Sequence, residues 1–384
     1  MTGHAYDGRM SSLFPTHTYA DRLARAAAAA RTADLDGLIF GTGAELAYLT
    51  GSWIQTHERL TALVVPANGR PTMLLPAVDR GDLALSAIPE LDIEVRGWVD
   101  GEEPHRLAIA ALGSLPTAPV VGLGSALTAD HVLPLQELLH GKTVLAGQVL
   151  KELFMRKDPG EISALREAGA AIDRVHAMVP ELLVPGATEA QVAAELERLI
   201  LQEHASVDFI IVGSGPNGAN PHHSFSDRVL QLGDVVVVDI GGTFGPSYHS
   251  DCTRTYVVGG PDQPVSDPDF ARLYAVLEEA QAAAVRAVRP GVTAASIDAV
   301  ARGIISAHGF GDDFIHRTGH GIGLSTHEEP FIMAGNELVL EPGMAFSVEP
   351  GIYLEGRVGA RIEDIVIVTE HGCEAVNNQP HGLQ

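Results

Sequence analysis

Asp239 and Asp251 are the first residues in this sequence whose types and spacing could do chemistry. Asp239 follows a run of four valines, so a carboxylate stands at the end of a strand that reads as buried on both faces. The chain is then expected to turn through Gly241 and Gly242 and to return over residues 251–258, a β-branched segment with Asp251, Thr253 and Thr255 on one face. Such a hairpin brings the two aspartates close, and ionised carboxylates at close range repel unless a proton or a cation lies between them. Two solvated aspartates beside a surface loop would read the same way, so the pair alone leaves both readings open. The second half repeats the arrangement. Residues 346–351 run an apolar strand into Glu349 and a glycine turn, and residues 358–368 read as one returning strand with Arg361 and Glu363 on a shared face. Between them His320 stands among Thr318, Gly319, Gly321 and Gly323, small residues that let backbones approach closely. One histidine and four carboxylates are the donor set of a two-metal site for hard or borderline cations, with no thiolate involved.

The elements that must position these donors form an internal repeat. Val184-Pro185-Gly186-Ala187-Thr188 leads into a helix ending near His204, and Arg289-Pro290-Gly291-Val292-Thr293 leads into another ending near His308. Thr188 with Gln191 makes a capping-box pattern, and Thr293 is a cap in the second copy. A further helix precedes each, over residues 161–179 and 269–287, and each copy ends in a strand bearing an acid. Two halves related by a pseudo-two-fold axis would face their acid pairs toward one centre.

Composition excludes several function classes. A length of 384 residues suggests two or three domains, and a net charge of −24 argues against nucleic acid or anionic membrane surfaces as partners. Cys252 and Cys373, the two cysteines, give no disulfide framework, and Cys252 points to the face opposite Asp251, as a buried inert thiol. The N-terminal residues 1–23 lack the pattern of a secretory leader and no long apolar run follows, so the expected location is the cytoplasm. Residues 1–152 alternate helices (19–32, 105–112) with strands (37–40, 120–123) and a hairpin around Asn68-Gly69-Arg70, which reads as a separate α/β domain. A helix start at Asp158-Pro159-Gly160-Glu161 opens the next domain, with the boundary within residues 148–157. Residues 53–59, polar and aromatic, are either an exposed loop or a loop that reaches an active site across a dimer interface.

At its acids and histidine the sequence resembles the metallopeptidase family of methionine aminopeptidases, aminopeptidase P and prolidase, which have the pita-bread fold. The wording VDIGG, DCTRT, GHGIG, VEPGIY and RIED places the family's five ligands, in order, on Asp239, Asp251, His320, Glu349 and Glu363. The resemblance is strong over residues 155–375 and holds only in outline before them. It implies an α/β creatinase-like N-terminal domain, residues 1–152, that selects substrate and dimerises, and an α+β pita-bread catalytic domain, residues 153–384. It further implies that Asp251 and Glu363 bridge two divalent metals, that Asp239 holds one of them, and that His320 with Glu349 holds the other. Manganese is the leading ion, with cobalt or zinc as substitutes.

Lone histidines are more often structural than catalytic, but His222, His316 and His327 match family positions. His222 and His327 would line the pocket for the leaving residue and stabilise developing charge, His223 being the neighbouring alternative; Tyr353 and Arg361 also match positions near the metals. The implied reaction is hydrolysis of the Xaa-Pro imide bond of dipeptides by a hydroxide bridging the metals, with Glu349 passing a proton to the leaving nitrogen. A separate N-terminal domain and the wording HGIGLSTHEEP are similar to the proline-specific members. One departure matters. Many prolidases carry an arginine shortly after the position of His327, where this chain reads Glu328-Glu329-Pro330-Phe331. Either another cation holds the dipeptide's carboxylate, with Arg59 and the adjacent His57 from a second subunit of a homodimer as candidates, or longer peptides are admitted, as by aminopeptidase P. Creatinase and non-catalytic binding modules of this fold lack the ligand set and are the remaining alternatives.

Overall fold

A computed structural model describes residues 13–383; residues 1–12, which carry half of the segment read for a leader, lie outside it. Two compact units divide the described residues between Phe154 and Met155. In the first, α1 (Thr16–Thr32), β1 (Gly37–Phe40), α2 (Ala44–Thr50), β2 (Ala62–Pro66), β3 (Thr72–Pro76), β4 (Glu94–Trp98), α3 (Pro104–Ala111), β5 (Val120–Leu123), α4 (Ala129–Leu139), β6 (Lys142–Leu145) and α5 (Ala146–Met155) follow in order. Their strands make one sheet in the order β4-β3-β2-β1-β5-β6. The pairs β1/β5, β5/β6 and β3/β4 are parallel, and β1/β2 and β2/β3 antiparallel. Ile39, Val64, Leu74 and Val121 lie in its apolar core with Leu135.

The second unit is the repeat made solid. Helix α6 (Pro159–His176) opens on a capping box: Asp158 Oδ1 accepts from the Gly160 and Glu161 amides, and Glu161 returns a bond to the Asp158 amide. After α7 (Val179–Leu182), Thr188 and Gln191 form the same box at the start of α8 (Glu189–Glu203). Strands β7 (Ser206–Ser214), β8 (Val235–Phe244), β9 (Tyr248–His249) and β10 (Cys252–Val257) then build an antiparallel sheet in the order β10-β8-β7, with β9 on β8. The second half answers with α9 (Phe270–Ala287) and α10 (Ala294–Ala307), where Thr293 caps through the Ser296 amide. Strands β11 (Gly319–Gly321), β12 (Glu328–Ile332), β13 (Ala345–Val348), β14 (Gly351–Leu354), β15 (Val358–Arg361), β16 (Asp364–Val368) and β17 (Cys373–Ala375) complete it. Five of these order as β12-β11-β13-β16-β17, and β14 pairs with β15 separately.

The pseudo-symmetry extends to single hydrogen bonds. The Gly186 and Gly291 amides donate to Leu230 and Leu340 carbonyls, whose own amides return bonds to Ala187 and Val292. Thr188 bridges Val229 as Thr293 bridges Val339. Each half packs its helices on its own apolar cluster, one around Leu196 and Val238, the other around Leu277 and Phe346. No helix among the described residues is long and apolar enough to cross a membrane.

Candidate metal centre and active site

Asp239 sits in the middle of β8, directly opposite Thr253 of β10, and Asp251 immediately precedes that strand. The expected turn at Gly241 and Gly242 is not there. The strand runs through both to Phe244, and the chain reverses after it, where Gly245 and Ser247 have φ of +52° and +70°. The two glycines serve close packing instead: a Cβ on Gly241 would lie 2.5 Å from the Ser250 carbonyl oxygen, and one on Gly242 2.7 Å from that of Ser206. The second hairpin also differs from expectation. Residues 358–368 are two strands, β15 and β16, broken at Ile362 and Glu363, and Gly351 begins β14 rather than forming a turn. The break frees the Glu363 amide to bond the Thr253 carbonyl in the other half, at 3.1 Å, which carries the acid to the shared centre.

His320 is central in β11, between β12 and β13, where Gly319 and Gly321 leave no room for a side chain against Ser347 and Glu329. Its Nδ1 donates to the Gly321 carbonyl at 3.1 Å, and its Nε2 turns to the acids, 3.2 Å from Glu349 Oε1 and 3.7 Å from Asp251 Oδ2. Ser347 Oγ donates to Glu349 at 2.9 Å and accepts from the His320 amide at 3.0 Å. Across the centre, Thr253 Oγ1 donates to Glu363 Oε2 at 2.7 Å and accepts from Arg361 Nε at 3.1 Å. Arg361 Nη2 pairs with Asp239 Oδ2 at 2.6 Å, and its Nη1 donates to the Tyr353 hydroxyl at 2.8 Å. That hydroxyl lies 2.9 Å from His316 Nε2, whose Nδ1 is 2.7 Å from the Arg317 carbonyl.

Ligand atoms of Asp251, His320 and Glu363 lie within 4.8 Å of one another, all three residues buried. Burial, then the neighbouring Glu363, Asp239 and Glu349 carboxylates, push Asp251 well above the usual carboxylate range. Burial and then Glu349 and Asp239 do the same to Glu363, and Asp239 is raised by burial against the pull of Arg361. Glu349 goes the other way. Burial raises it, but the hydrogen bond and charge of His320 outweigh this and carry it down to about 2. Asp239 Oδ1 and Glu363 Oε1 are buried with no hydrogen-bond partner among the described residues. Buried carboxylates that repel one another, with orphaned oxygens beside an imidazole nitrogen, fit divalent cations and little else.

A cavity of about 1010 Å³ opens over the centre, lined by Asp239, Asp251, His320 and Glu349 together with His222, His316, His327 and Arg361. His223 is turned away: its Nε2 lies 2.8 Å from Glu189, a fully buried carboxylate also bonded by Ser214, Asn217 and Ser226. The ring centroid of His327 is 3.9 Å from that of His320; partial burial and then His320 push it down to about 4. His316 is lowered by burial, and Tyr353 is raised by burial to about 12. Cys252 is buried, and burial drives its thiol well up. In the N-terminal unit, Arg59 and His57 lie on a segment without helix or strand, and Arg59 makes two bonds to Asp100, at 3.0 and 3.1 Å. The sequence reading passed over Phe209, Ile210 and Ile211 of β7, with Phe225, which wall the cavity, and Arg317, which stands at its side. The apolar run of β7 marks a strand, but nothing local says what it lines.

Fold and donor set together define a metallopeptidase, and the comparisons agree. Residues 163–370 match metallopeptidase family M24, and residues 22–153 match the creatinase/prolidase N-terminal domain. The chain belongs to family M24: it is a metal-dependent peptidase of the pita-bread fold, using divalent ions. It is 56% identical over 374 residues to a probable dipeptidase PepE of Mycobacterium tuberculosis, covering 97% of this chain and 98% of that protein. The crystal structure of dipeptidase PepE from Mycobacterium ulcerans matches with a TM-score of 0.92 at 56% identity, covering 97% of this chain and 98% of that one. A Xaa-Pro dipeptidase of Lactobacillus helveticus is 36% identical over 350 residues, 88% of this chain and 92% of that protein.

Proposed function

We propose that this protein is a dinuclear Xaa-Pro dipeptidase. The observation that carries the reading is the convergence of Asp251, His320 and Glu363, the first two lining the cavity, beside orphaned carboxylate oxygens that call for cations. In this reading Asp251 and Glu363 would serve both of two ions, Asp239 would add a ligand to one and His320 with Glu349 to the other, and manganese would suit the carboxylate-rich set. When bound, such ions polarise the scissile carbonyl and make water nucleophilic at neutral pH.

The chain's own residues do the rest. Glu349 Oε1 is engaged by Ser347 and His320, which leaves Oε2 to take the proton of the attacking water and deliver it to the proline nitrogen. His327, neutral at neutral pH with its value near 4, offers an N–H to the carbonyl oxygen as charge develops there. His222, also in the lining, does so as well. Arg361 and Thr253 hold Asp239 and Glu363 in place, and Tyr353 with His316 steadies Arg361. Phe209, Ile211 and Phe225 give an apolar wall that keeps water from the peptide. The N-terminal domain, residues 1–152, selects substrate and forms a homodimer in this reading, residues 153–384 catalyse, and the free thiols of Cys252 and Cys373 suit the cytoplasm.

One observation favours a second reading. A cavity of about 1010 Å³ is at the upper end of small-ligand pockets, so longer peptides fit, as in an Xaa-Pro aminopeptidase. The deciding measurement is hydrolysis of Ala-Pro against Ala-Pro-Ala by metal-stripped protein resupplied with manganese. The dipeptide is expected to have the higher kcat/KM by about tenfold or more, one charge-assisted contact's worth. Preference for the tripeptide replaces the dipeptidase by the aminopeptidase.

The two histidine roles separate by mutation. His222→Ala should lower kcat by about 10²- to 10³-fold, the range for one lost oxyanion donor, with bound metal unchanged. His320→Ala should lose metal as well. Equal metal content in both variants would undo the division.

A further inference from the structure

We propose that Arg317 grips the free carboxylate of the substrate's proline and so sets the preference for dipeptides; this rests on the dipeptidase reading above. A dipeptide's C-terminal carboxylate lies one residue from the scissile bond, so its partner must be a cation of the same cavity. The basic residues of the lining other than histidine are Arg317 and Arg361. Arg361 is committed. It is buried, with Nε on Thr253, Nη1 on Tyr353 and the Pro221 carbonyl, and Nη2 on Asp239. Releasing it for substrate would strip Asp239 of its counter-charge.

Arg317 is in the opposite condition. Among the described residues its guanidinium has neither a carboxylate partner nor a hydrogen-bond acceptor, although acidic residues outnumber basic ones 49 to 25 in this chain. The contact of its side chain is with the ring of Phe331, 4.4 Å from the guanidinium carbon. Stacking on an aromatic face leaves the in-plane N–H groups of an arginine free, and those are the groups that hold a carboxylate with two parallel bonds.

The backbone beneath is fixed on both sides. His316 Nδ1 bonds the Arg317 carbonyl, Arg302 Nη2 donates to the His316 carbonyl at 2.8 Å, and the Thr318 amide donates to Ile332 at 2.9 Å. The arginine therefore starts from a rigid point three positions before His320 and rests on a shelf, which lowers the entropy lost on binding. Its charge also reaches the reacting region, where, after burial and His320, it helps to depress His327. Arg59, the other candidate, is held by Asp100 and would have to leave that partner.

The test compares wild type, Arg317→Ala, Arg317→Lys and Arg59→Ala, all manganese-loaded, on Ala-Pro and on its C-terminal amide, which lacks the anion. Arg317→Ala should raise KM for Ala-Pro by about ten- to a hundredfold, while KM for the amide moves by less than about twofold. Lysine should recover only part, because it cannot make the paired bond. Equal effects on acid and amide, or a carboxylate-dependent rise in Arg59→Ala with none in Arg317→Ala, overturn the proposal. If the wild type cleaves neither compound, the dipeptidase reading has failed, and calorimetric binding of L-proline against L-prolinamide then decides on Arg317 independently. Tighter binding of proline that disappears in Arg317→Ala supports the grip, and binding of both alike in wild type refutes it.

Discussion

Asp251→Ala and Glu363→Ala are each expected to lower kcat/KM by at least about three orders of magnitude and to reduce the bound metal, the outcome that follows from the proposed role of both acids as ligands of both ions. The size follows from the position of the two acids. Both are buried, and neither has a positive side chain bonded to it as Asp239 has in Arg361. Glu363 keeps one oxygen on Thr253 and leaves the other without a partner among the described residues. A role confined to holding the fold predicts a loss of stability in these variants. A role as metal ligand predicts the reverse for the metal-free protein, because removing either carboxylate relieves repulsion on its neighbours. Urea unfolding of the metal-free forms should thus place both variants at or above wild type, while metal analysis places them below it. Variants that are unstable without metal yet retain full metal would show the two acids to be structural.

Stripping the metals abolishes activity, and the stability lost with them grows as pH rises. Asp251 and Glu363 are raised in the folded, metal-free protein, so over the range from the ordinary carboxylate values near 4 up to their raised values the folded state binds more protons than the unfolded one. Their contribution to metal-free stability therefore falls as pH rises through that window. Glu349, held near 2, contributes in the opposite sense, but its contribution is lost only below about pH 4. Metal binding must expel the protons that the raised acids retain, so affinity climbs with pH. At neutral pH, manganese at a hundredfold excess over its Kd should stabilise the fold by about 2.7 kcal/mol for each ion bound, and the gain should shrink toward pH 5. Thermal melts with and without manganese across this range measure the effect. Calorimetric titrations in buffers of different ionisation enthalpy should show proton release on loading. A metal effect independent of pH, with no proton released, would mean that the acids are already ionised and that the ions bind elsewhere.

The features of this protein that the sequence determined by itself are those written in neighbouring residues. The boxes at Asp158 and Thr188 and the cap at Thr293 bond an amide two or three positions away, so residue type and spacing suffice to predict them. The repeat was legible because each half spells the same loop, cap and helix, and five donors follow in order within its strands or next to them. Tertiary structure decided what depends on partners far along the chain. Gly241 and Gly242 read as a turn, but β8 is covered by Phe209, Ser206 and Ser250, and in that crowd the glycines are a straight strand's means of fitting. The strand expected over 358–368 breaks because the Glu363 amide finds Thr253, more than a hundred residues earlier in the sequence. His222 and His223 are adjacent and equivalent by type; the buried carboxylate of Glu189 captures the second and leaves the first to the cavity. Arg317 carries no local mark at all. Its significance is that, among the described residues, its guanidinium meets an aromatic ring and no acid, and the balance of charges in a pocket is set only when the chain has folded around it.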